Sequence, residues 1–358
     1  MRRVVILGAT GSIGTTCLNY LRNSNPGFLL VGATAKRSRE KLESIGKEFN
    51  CPVLLTSPIE TSSLSSFLLS TKPDIVLNAV SGADGLFASV TTIDCGIDLA
   101  LSNKESVVMG GSWIFSYAEK KNVRIIPVDS EHSAIYNLLK GHQAQSLVIT
   151  ASGGPFVDRM DLDNVTVSEA LNHPTWKMGK KITIDSATLA NKGLEVIEAS
   201  FLFDMEAKDI EVTVHRQSIV HSLIRTKEGA VYAQLSPPDM TLPIVSALSD
   251  GKIELENVVR PLSFSDLTLT FESPDTKRFP LLQSAYRALE IGGAAPIAYN
   301  AADEVAVAAF MEERISFKDI SRIVGSVIEM DCFKSPVFDY SSTMEMDRIA
   351  RKEAEKLI

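Results

Sequence analysis

Leu7-Gly8-Ala9-Thr10-Gly11-Ser12-Ile13-Gly14 decides the fold of this 358-residue chain. It follows Val4-Val5-Ile6, an apolar run that reads with Leu7 as a buried strand, and it opens a helical pattern. Glycines at 8, 11 and 14 let the backbone turn tightly and approach a pyrophosphate, whose charge is attracted by the free N–H groups of a helix N-terminus. The spacing is GxxGxxG, a variant of the usual dinucleotide fingerprint. A Gly-rich turn without a ligand is the competing reading, and the strand-to-helix context favours the nucleotide. Working outward, residues 28–34, 52–55, 74–80, 97–101 and 124–128 read as further buried strands, separated by helical patterns such as 38–49. Strands alternating with helices give βαβ units and a Rossmann-like, doubly wound parallel sheet. After the second strand an NAD site places an acid on the ribose 2′-hydroxyl, but here the chain reads Thr34-Ala35-Lys36-Arg37-Ser38-Arg39. A carboxylate against a 2′-phosphate costs about 4 kcal/mol per charge pair at about 4 Å and an effective dielectric of about 20. Lys36 and Arg37 gain by the same arithmetic, so the cofactor is read as NADPH; the alternative is that 36–39 merely opens a solvated helix.

Length and composition agree with a globular protein of about 2.4 domains at roughly 150 residues each. Hydrophobic residues make up 45% and charged residues 22%, which excludes a disordered or collagen-like chain. Lys and Arg number 36 against 44 Asp and Glu, a balance that argues against nucleic acid as a partner. Cys17, Cys51, Cys95 and Cys332 form no CxxC pair, so neither a zinc ribbon nor a disulfide framework is indicated. Four apolar residues after Arg2 and Arg3 fall short of a signal sequence, and no run is long enough to cross a membrane. A cytoplasmic soluble protein is expected.

Beyond residue 128 the pattern changes. A strand at 146–150, a helical stretch at 186–203 and alternating runs at 211–214, 218–226 and 230–235, with Glu228-Gly229 as a hairpin signal, form an α+β layer. Residues 250–280 are loop-rich, and 281–291, 295–315, 317–330 and 342–358 outline a C-terminal helical bundle. The expected partition is a cofactor domain at 1–128, a catalytic and dimerisation domain at 129–255, a connection at 256–280 and the bundle at 281–358.

Asp129-Ser130-Glu131 stand at the C-terminal end of the strand at 124–128, the edge where open α/β sheets bind ligands. If the chain stays extended, Asp129 and Glu131 present two carboxylates to one side, a site for a hard cation such as Mg²⁺ or Mn²⁺. The alternative is that Asp129 or Ser130 caps the following helix. On a helix, Asn191, Lys192 and Glu195 share one polar face, and Ser186 could cap its start, where a phosphate is welcome; the alternative is a surface Lys192–Glu195 pair. Ser152-Gly153-Gly154-Pro155-Phe156 adds a Gly-rich turn. Trp176, within His173-Pro174-Thr175-Trp176-Lys177-Met178-Gly179, is either a core anchor or a cover over a ligand. His215 and His221 read as satisfied core histidines on one strand face.

These segments together resemble the 1-deoxy-D-xylulose 5-phosphate reductoisomerase family. The pieces that carry the resemblance occur in order: residues 8–14, Asn103-Lys104-Glu105, Val128-Asp129-Ser130-Glu131-His132, residues 152–156, residues 173–179 and the run from Asp185 to Glu195. The resemblance implies that Asp129, Glu131 and Glu195 bind one divalent cation, Mg²⁺ or Mn²⁺. It implies that Lys104 and Ser130 contact substrate oxygens, and that Ser152, Ser186, Asn191 and Lys192 hold a 5-phosphate beside His173. Trp176 would belong to a lid. NADPH would rest on Thr10, Gly11, Ser12 and Ile13, on Lys36, Arg37 and Ser38 at its 2′-phosphate, and on Asn103, Glu105 and Gly179. The implied catalytic set is Lys104, Asp129, Glu131, His173 and Glu195, acting on a small phosphorylated sugar in a homodimer. The chain departs from the family pattern at Lys36-Arg37-Ser38, Thr175, Arg216 and Ser236-Pro237. Two rival readings are a semialdehyde dehydrogenase, which needs a nucleophilic cysteine, and a non-catalytic NADP-binding sensor.

Overall fold

The computed structural model describes residues 1–23, 27–57, 61–176 and 178–358; Lys177 of the Trp176 segment lies outside them. The chain forms two compact units. The first comprises 1–106, 114–136 and 239–262, the second 107–113, 137–238 and 263–358.

In the first unit, β1 (Arg2–Leu7), α1 (Ser12–Asn23), β2 (Phe28–Ala35), α2 (Arg39–Phe49), β3 (Val53–Leu55), α3 (Thr61–Thr71), β4 (Ile75–Asn78), α4 (Asp84–Asp94), β5 (Asp98–Leu101), α5 (Lys104–Lys120), β6 (Ile125–Pro127) and α6 (Ser130–Leu139) alternate along the chain. The middle of α5 and the end of α6 are counted with the second unit. The strands pair in parallel in the order β3-β2-β1-β4-β5-β6, the doubly wound arrangement read from the sequence. Strand order reverses between β1 and β4, so their C-terminal ends open the crevice where such sheets bind ligands. β1 and β4 are apolar throughout apart from Arg2, Arg3 and Asn78, because helices cover both faces. Val4, Ile6, Leu30, Ala33, Ile75 and Leu77 belong to one core, each large aliphatic side chain contributing about 1.5–3 kcal/mol on burial.

The second unit holds β7 (Ser146–Ala151), α7 (Val167–Ala170), α8 (Lys180–Thr188), α9 (Ala190–Leu202), β8 (Ile210–Val214), β9 (Val220–Arg225) and β10 (Val231–Leu235). Its sheet is mixed, in the order β10-β9-β7-β8, with only β7 and β8 parallel. The hairpin read at Glu228-Gly229 joins β9 to β10, and the Gly229 N–H donates to Thr226 O at 3.0 Å. α10 (Thr241–Ser249) belongs to the first unit, where Ile244, Val245 and Leu248 enter the core and buried Arg2 Nη1 donates to the α10 carbonyls of Leu248 and Ser249 at 2.5 and 2.8 Å. Segment 129–255 of the expected partition thus contributes to both units. Residues 250–280 carry no helix and one isolated bridge, Val214 to Glu272. α11 (Leu281–Ile291), α12 (Ala295–Met311), α13 (Phe317–Ile328) and α14 (Tyr340–Glu355) complete the second unit. Capping boxes at Ser316/Asp319 and Asp339/Ser342 start α13 and α14, each satisfying two backbone donors that a helix start leaves open.

Two sequence expectations change. The helical stretch at 186–203 is two helices, broken at Leu189, whose φ of 60° interrupts the helical path. Ser186 therefore lies in the last turn of α8 rather than capping a helix start. His215 and His221 are both buried, but they lie on different elements: His215 follows β8 and His221 is within β9. His215 Nδ1 lies 2.8 Å from Thr270 O and His221 Nε2 lies 2.8 Å from Ser236 Oγ, the satisfied core histidines anticipated.

Candidate active site

In the first unit the glycine run turns directly out of β1. Gly8 has φ 82°, and a Cβ there would lie 2.5 Å from Ala79 O beyond the end of β4. Gly14 is equally committed, since its Cβ would fall 2.6 Å from Ala9 Cα. These two glycines fold the turn onto itself. Gly11 has a different role: its nearest neighbour would be Gly8 O at 3.3 Å, with no other atom within 4 Å. The backbone at 11 is open to an incoming group, the first turn of α1 carries no acid, and its leading N–H groups have no helical acceptors. This cradle fits a pyrophosphate.

Asn103 and Glu105 shape the neighbouring wall. Asn103 caps α5 by accepting from Ser106 N at 2.9 Å, and its Nδ2 donates to Gly82 O at 3.0 Å and Glu105 Oε2 at 2.7 Å. Glu105 Oε1 accepts from Gly82 N at 3.1 Å. Both side chains are buried, and together they clamp the loop after β4. Asn78 and Ser89 extend this network, Asn78 Nδ2 donating to Ser89 Oγ at 2.8 Å. Lys36 and Arg37 follow β2 and are exposed, as Ser38 is.

The acidic pair sits at the same sheet edge. β5 and β6 are parallel neighbours, so the residues that follow them meet: Lys104 Nζ lies 2.8 Å from Asp129 Oδ2, with both side chains largely buried. Residues 129–131 are not extended. α6 starts at Ser130, and the Asp129 carbonyl accepts from Ser133 N at 2.7 Å. Asp129 and Glu131 still offer oxygens within 4.8 Å of each other, because the first helical turn brings them round to one side. The helix N-terminus stabilises both carboxylates, and Ser130 Oγ donates to Glu131 Oε2 at 2.6 Å.

The second unit gathers the other polar residues. Gly154, at φ 67°, brings the turn after β7 against α8, where its Cβ would fall 2.7 Å from Ser186 O. His173 Nε2 then lies 3.1 Å from both Ser152 Oγ and Ser186 Oγ. Its Nδ1 accepts from Thr175 N at 3.1 Å and Trp176 N at 2.9 Å. A ring nitrogen accepting two N–H groups carries no proton, so the neutral ring is protonated at Nε2 and donates there. Burial lowers the His173 pKa, in keeping with the neutral form. Trp176 is half-buried, and Gly179 precedes the first residue of α8.

On α9, Asn191 Nδ2 donates to Glu195 Oε1 at 2.6 Å, and Lys192 Nζ pairs with Glu195 Oε2. This pair is buried rather than on the surface: Lys192 is 5% and Glu195 1% exposed. Gly193 makes the burial possible, since a Cβ there would lie 2.5 Å from the Tyr299 hydroxyl and 2.9 Å from Ala285 Cβ. α8 is tied to α12 through Lys181 Nζ, which donates to Asp185 Oδ2 at 2.6 Å and Asp303 Oδ2 at 2.7 Å.

The family description 1-deoxy-D-xylulose 5-phosphate reductoisomerase matches residues 4–66 and 55–111, and those of its C-terminal domains match 125–203 and 235–353. A protein of that name from Treponema denticola is 43% identical over 370 aligned positions, covering 98% of this chain and 97% of the relative. The chain belongs to the 1-deoxy-D-xylulose 5-phosphate reductoisomerase family. The reductoisomerase of Thermodesulfovibrio yellowstonii is also 43% identical and aligns over 100% of both chains. Among solved structures, a DOX-P reductoisomerase in complex with NADPH, fosmidomycin and magnesium superposes with a TM-score of 0.89 at 34% identity, covering 100% of this chain and 98% of that one. The Zymomonas mobilis reductoisomerase in complex with NADPH gives 0.88 at 34%, covering 99% and 98%.

Family membership sets aside the semialdehyde dehydrogenase and sensor readings. Among the residues that the resemblance implies, Asp129, Glu131 and Glu195 are all present as carboxylates, while Lys36-Arg37-Ser38 depart from the family pattern. Sequence reasoning missed the residues that hold the implied ones: Asn78 and Ser89 behind Asn103, Gly193 and Tyr299 behind Lys192 and Glu195, and Asp303 behind α8. The strand order makes the Lys104–Asp129 meeting inevitable, and only the neighbouring of the fifth and sixth strands could have signalled it.

Proposed function

We propose that the chain rearranges the carbon skeleton of 1-deoxy-D-xylulose 5-phosphate and reduces the product with NADPH to 2-C-methyl-D-erythritol 4-phosphate, a step of isoprenoid biosynthesis. The observation that carries the reaction is the match to reductoisomerases over essentially the whole chain. Asp129, Glu131 and Glu195, each offering one carboxylate oxygen, are assigned to a single Mg²⁺ or Mn²⁺; an all-oxygen, anionic donor set fits a hard cation. When bound, the cation supplies Lewis-acid polarisation of the substrate ketone, and NADPH supplies the hydride.

The chain's own residues do the holding and orienting. Lys104 and Ser130 are assigned to the substrate hydroxyls and carbonyl, and the Ser130 hydroxyl also fixes the Glu131 carboxylate. Ser152, Ser186, Asn191, Lys192 and the Nε2–H of His173 are assigned to the 5-phosphate. Since His173 Nδ1 holds Thr175 N and Trp176 N, phosphate recognition on one side of the ring is joined to the Trp176 lid segment on the other. Binding the unreactive phosphate thereby contributes free energy to ordering the lid and excluding water. Gly11 and the first turn of α1, through Thr10, Ser12 and Ile13, receive the pyrophosphate. Lys36, Arg37 and Ser38 take the 2′-phosphate, with Asn103, Glu105 and Gly179 also assigned to NADPH.

A cytoplasmic homodimer completes the reading. The edge strand β10, with Val231 and Tyr232 exposed, supports association through the second sheet, and no helix among the described residues is long and apolar enough to cross a membrane. The test is product identification. Protein, deoxyxylulose phosphate, NADPH and Mg²⁺ are expected to give methylerythritol phosphate in equal amount to the NADPH oxidised. NADPH oxidation with no branched product would overturn the proposal.

A further inference from the structure

We propose that Asp84 is a specificity-determining residue, a counter-charge that weakens NADPH binding relative to NADH; this rests on the reading of residues 36–38 as the 2′-phosphate site. Lys36 Nζ lies 2.5 Å from Asp84 Oδ2, and both side chains are more than half exposed, at 58% and 63%. The pair forms because β2 and β4 both flank β1, so the chain leaving β2 and the start of α4 reach the same edge of the sheet. Of the three cations between 36 and 39, Lys36 is matched by Asp84 and Arg39 by Glu43 at 3.7 Å. Arg37 is exposed and has no ion pair among the described residues. Arg37 is therefore ready for a 2′-phosphate, whereas Lys36 must leave Asp84 or share it. In either arrangement the Asp84 carboxylate opposes the phosphate dianion. The same carboxylate can accept a hydrogen bond from the 2′-hydroxyl of NADH, as the acid of an NAD site does. Asp84 thus acts on the two cofactors in opposite directions.

The experiment is titration of the full chain with NADPH and with NADH, read by nucleotide fluorescence, for wild type, Asp84→Asn, Asp84→Ala, Lys36→Ala and Arg37→Ala. Removing the Asp84 charge is expected to lower the Kd for NADPH about two- to fivefold at low salt, the range of an exposed charge pair. It is expected not to lower the Kd for NADH, and the gain should vanish near 1 M salt, where screening acts over about 3 Å. Lys36→Ala should raise the Kd for NADPH alone. If Lys36→Ala weakens NADPH while both Asp84 variants leave it unchanged, the inference fails and the 2′-phosphate reading stands. If Lys36→Ala and Arg37→Ala both leave NADPH unchanged, the reading fails and the inference with it. Equal tightening of NADPH and NADH would also overturn the specificity role.

Discussion

His173 joins the Ser152 and Ser186 hydroxyls to the backbone at Thr175 and Trp176, and its protonation state follows from these contacts. Its Nδ1 accepts from two backbone N–H groups and its surroundings are half-buried, so burial lowers its pKa below that of the unfolded chain. Between the lowered native value and about 6.5 the unfolded state binds the extra proton. Stability therefore rises with pH through that window and is lost as pH falls. Chemical denaturation of wild type and His173→Gln at pH 7.5 and 5.5 should show the wild type losing more stability on acidification; equal losses would contradict the assignment. Glu131 bears on the metal directly. Glu131→Gln keeps the shape and the acceptor for Ser130 but removes the charge, and kcat/KM should fall by about 100-fold or more, with a raised Mg²⁺ requirement in the same assay. The sequence offered Asp129 and Glu131 as a carboxylate pair beyond a strand end, with helix capping as the alternative, and the family resemblance alone pointed to His173. The partners of these residues were not legible. Lys104 and Asp129 are 25 positions apart in the chain, and only the pairing of β5 with β6 makes them neighbours.

At the scale of elements, α9 presents Asn191, Lys192 and Glu195 correctly only because it packs closely on α11 and α12. Gly193→Ala drives a Cβ into the Tyr299 hydroxyl and Ala285, an overpacking that should cost about 1–3 kcal/mol and lower Tm by several degrees. Tyr299→Phe removes the hydroxyl that blocks the new methyl, so adding it to Gly193→Ala should recover part of the loss; calorimetry of the two single variants and the double variant checks this. On the nucleotide side, Gly14→Ala places a methyl against backbone at Ala9 and Gly8 that cannot move aside. NADPH affinity should drop with the turn's geometry, as fluorescence titration would read. The strand–Gly turn–helix element was legible because its glycines and apolar run are contiguous. The break at Leu189 was not: no Gly or Pro marks it, and a leucine at φ 60° persists because its buried side chain and the flanking helices over-determine it. The extended reading of 129–131 failed for a related reason, since a helix start and a strand end both favour short polar residues.

At the scale of the whole molecule, each compact unit is assembled from separated segments. The parallel sheet recruits residues 239–262, including α10, and the second unit recruits 107–113. Periodicity reports elements in chain order and carries no record of such returns, so α/β class and the helical C-terminus were legible while the unit composition was not. The central requirement of the proposed function is that a divalent cation, assigned to Asp129, Glu131 and Glu195, and a bound NADPH both serve the same turnover. The most direct test follows NADPH absorbance with deoxyxylulose phosphate in chelator-stripped protein, before and after addition of Mg²⁺ or Mn²⁺, in wild type and in Glu195→Gln. The expected result is no NADPH oxidation until the cation is added, rapid oxidation afterwards in wild type, and little in the variant. Full-rate turnover by the metal-free wild type, or an undiminished rate in Glu195→Gln, would contradict it.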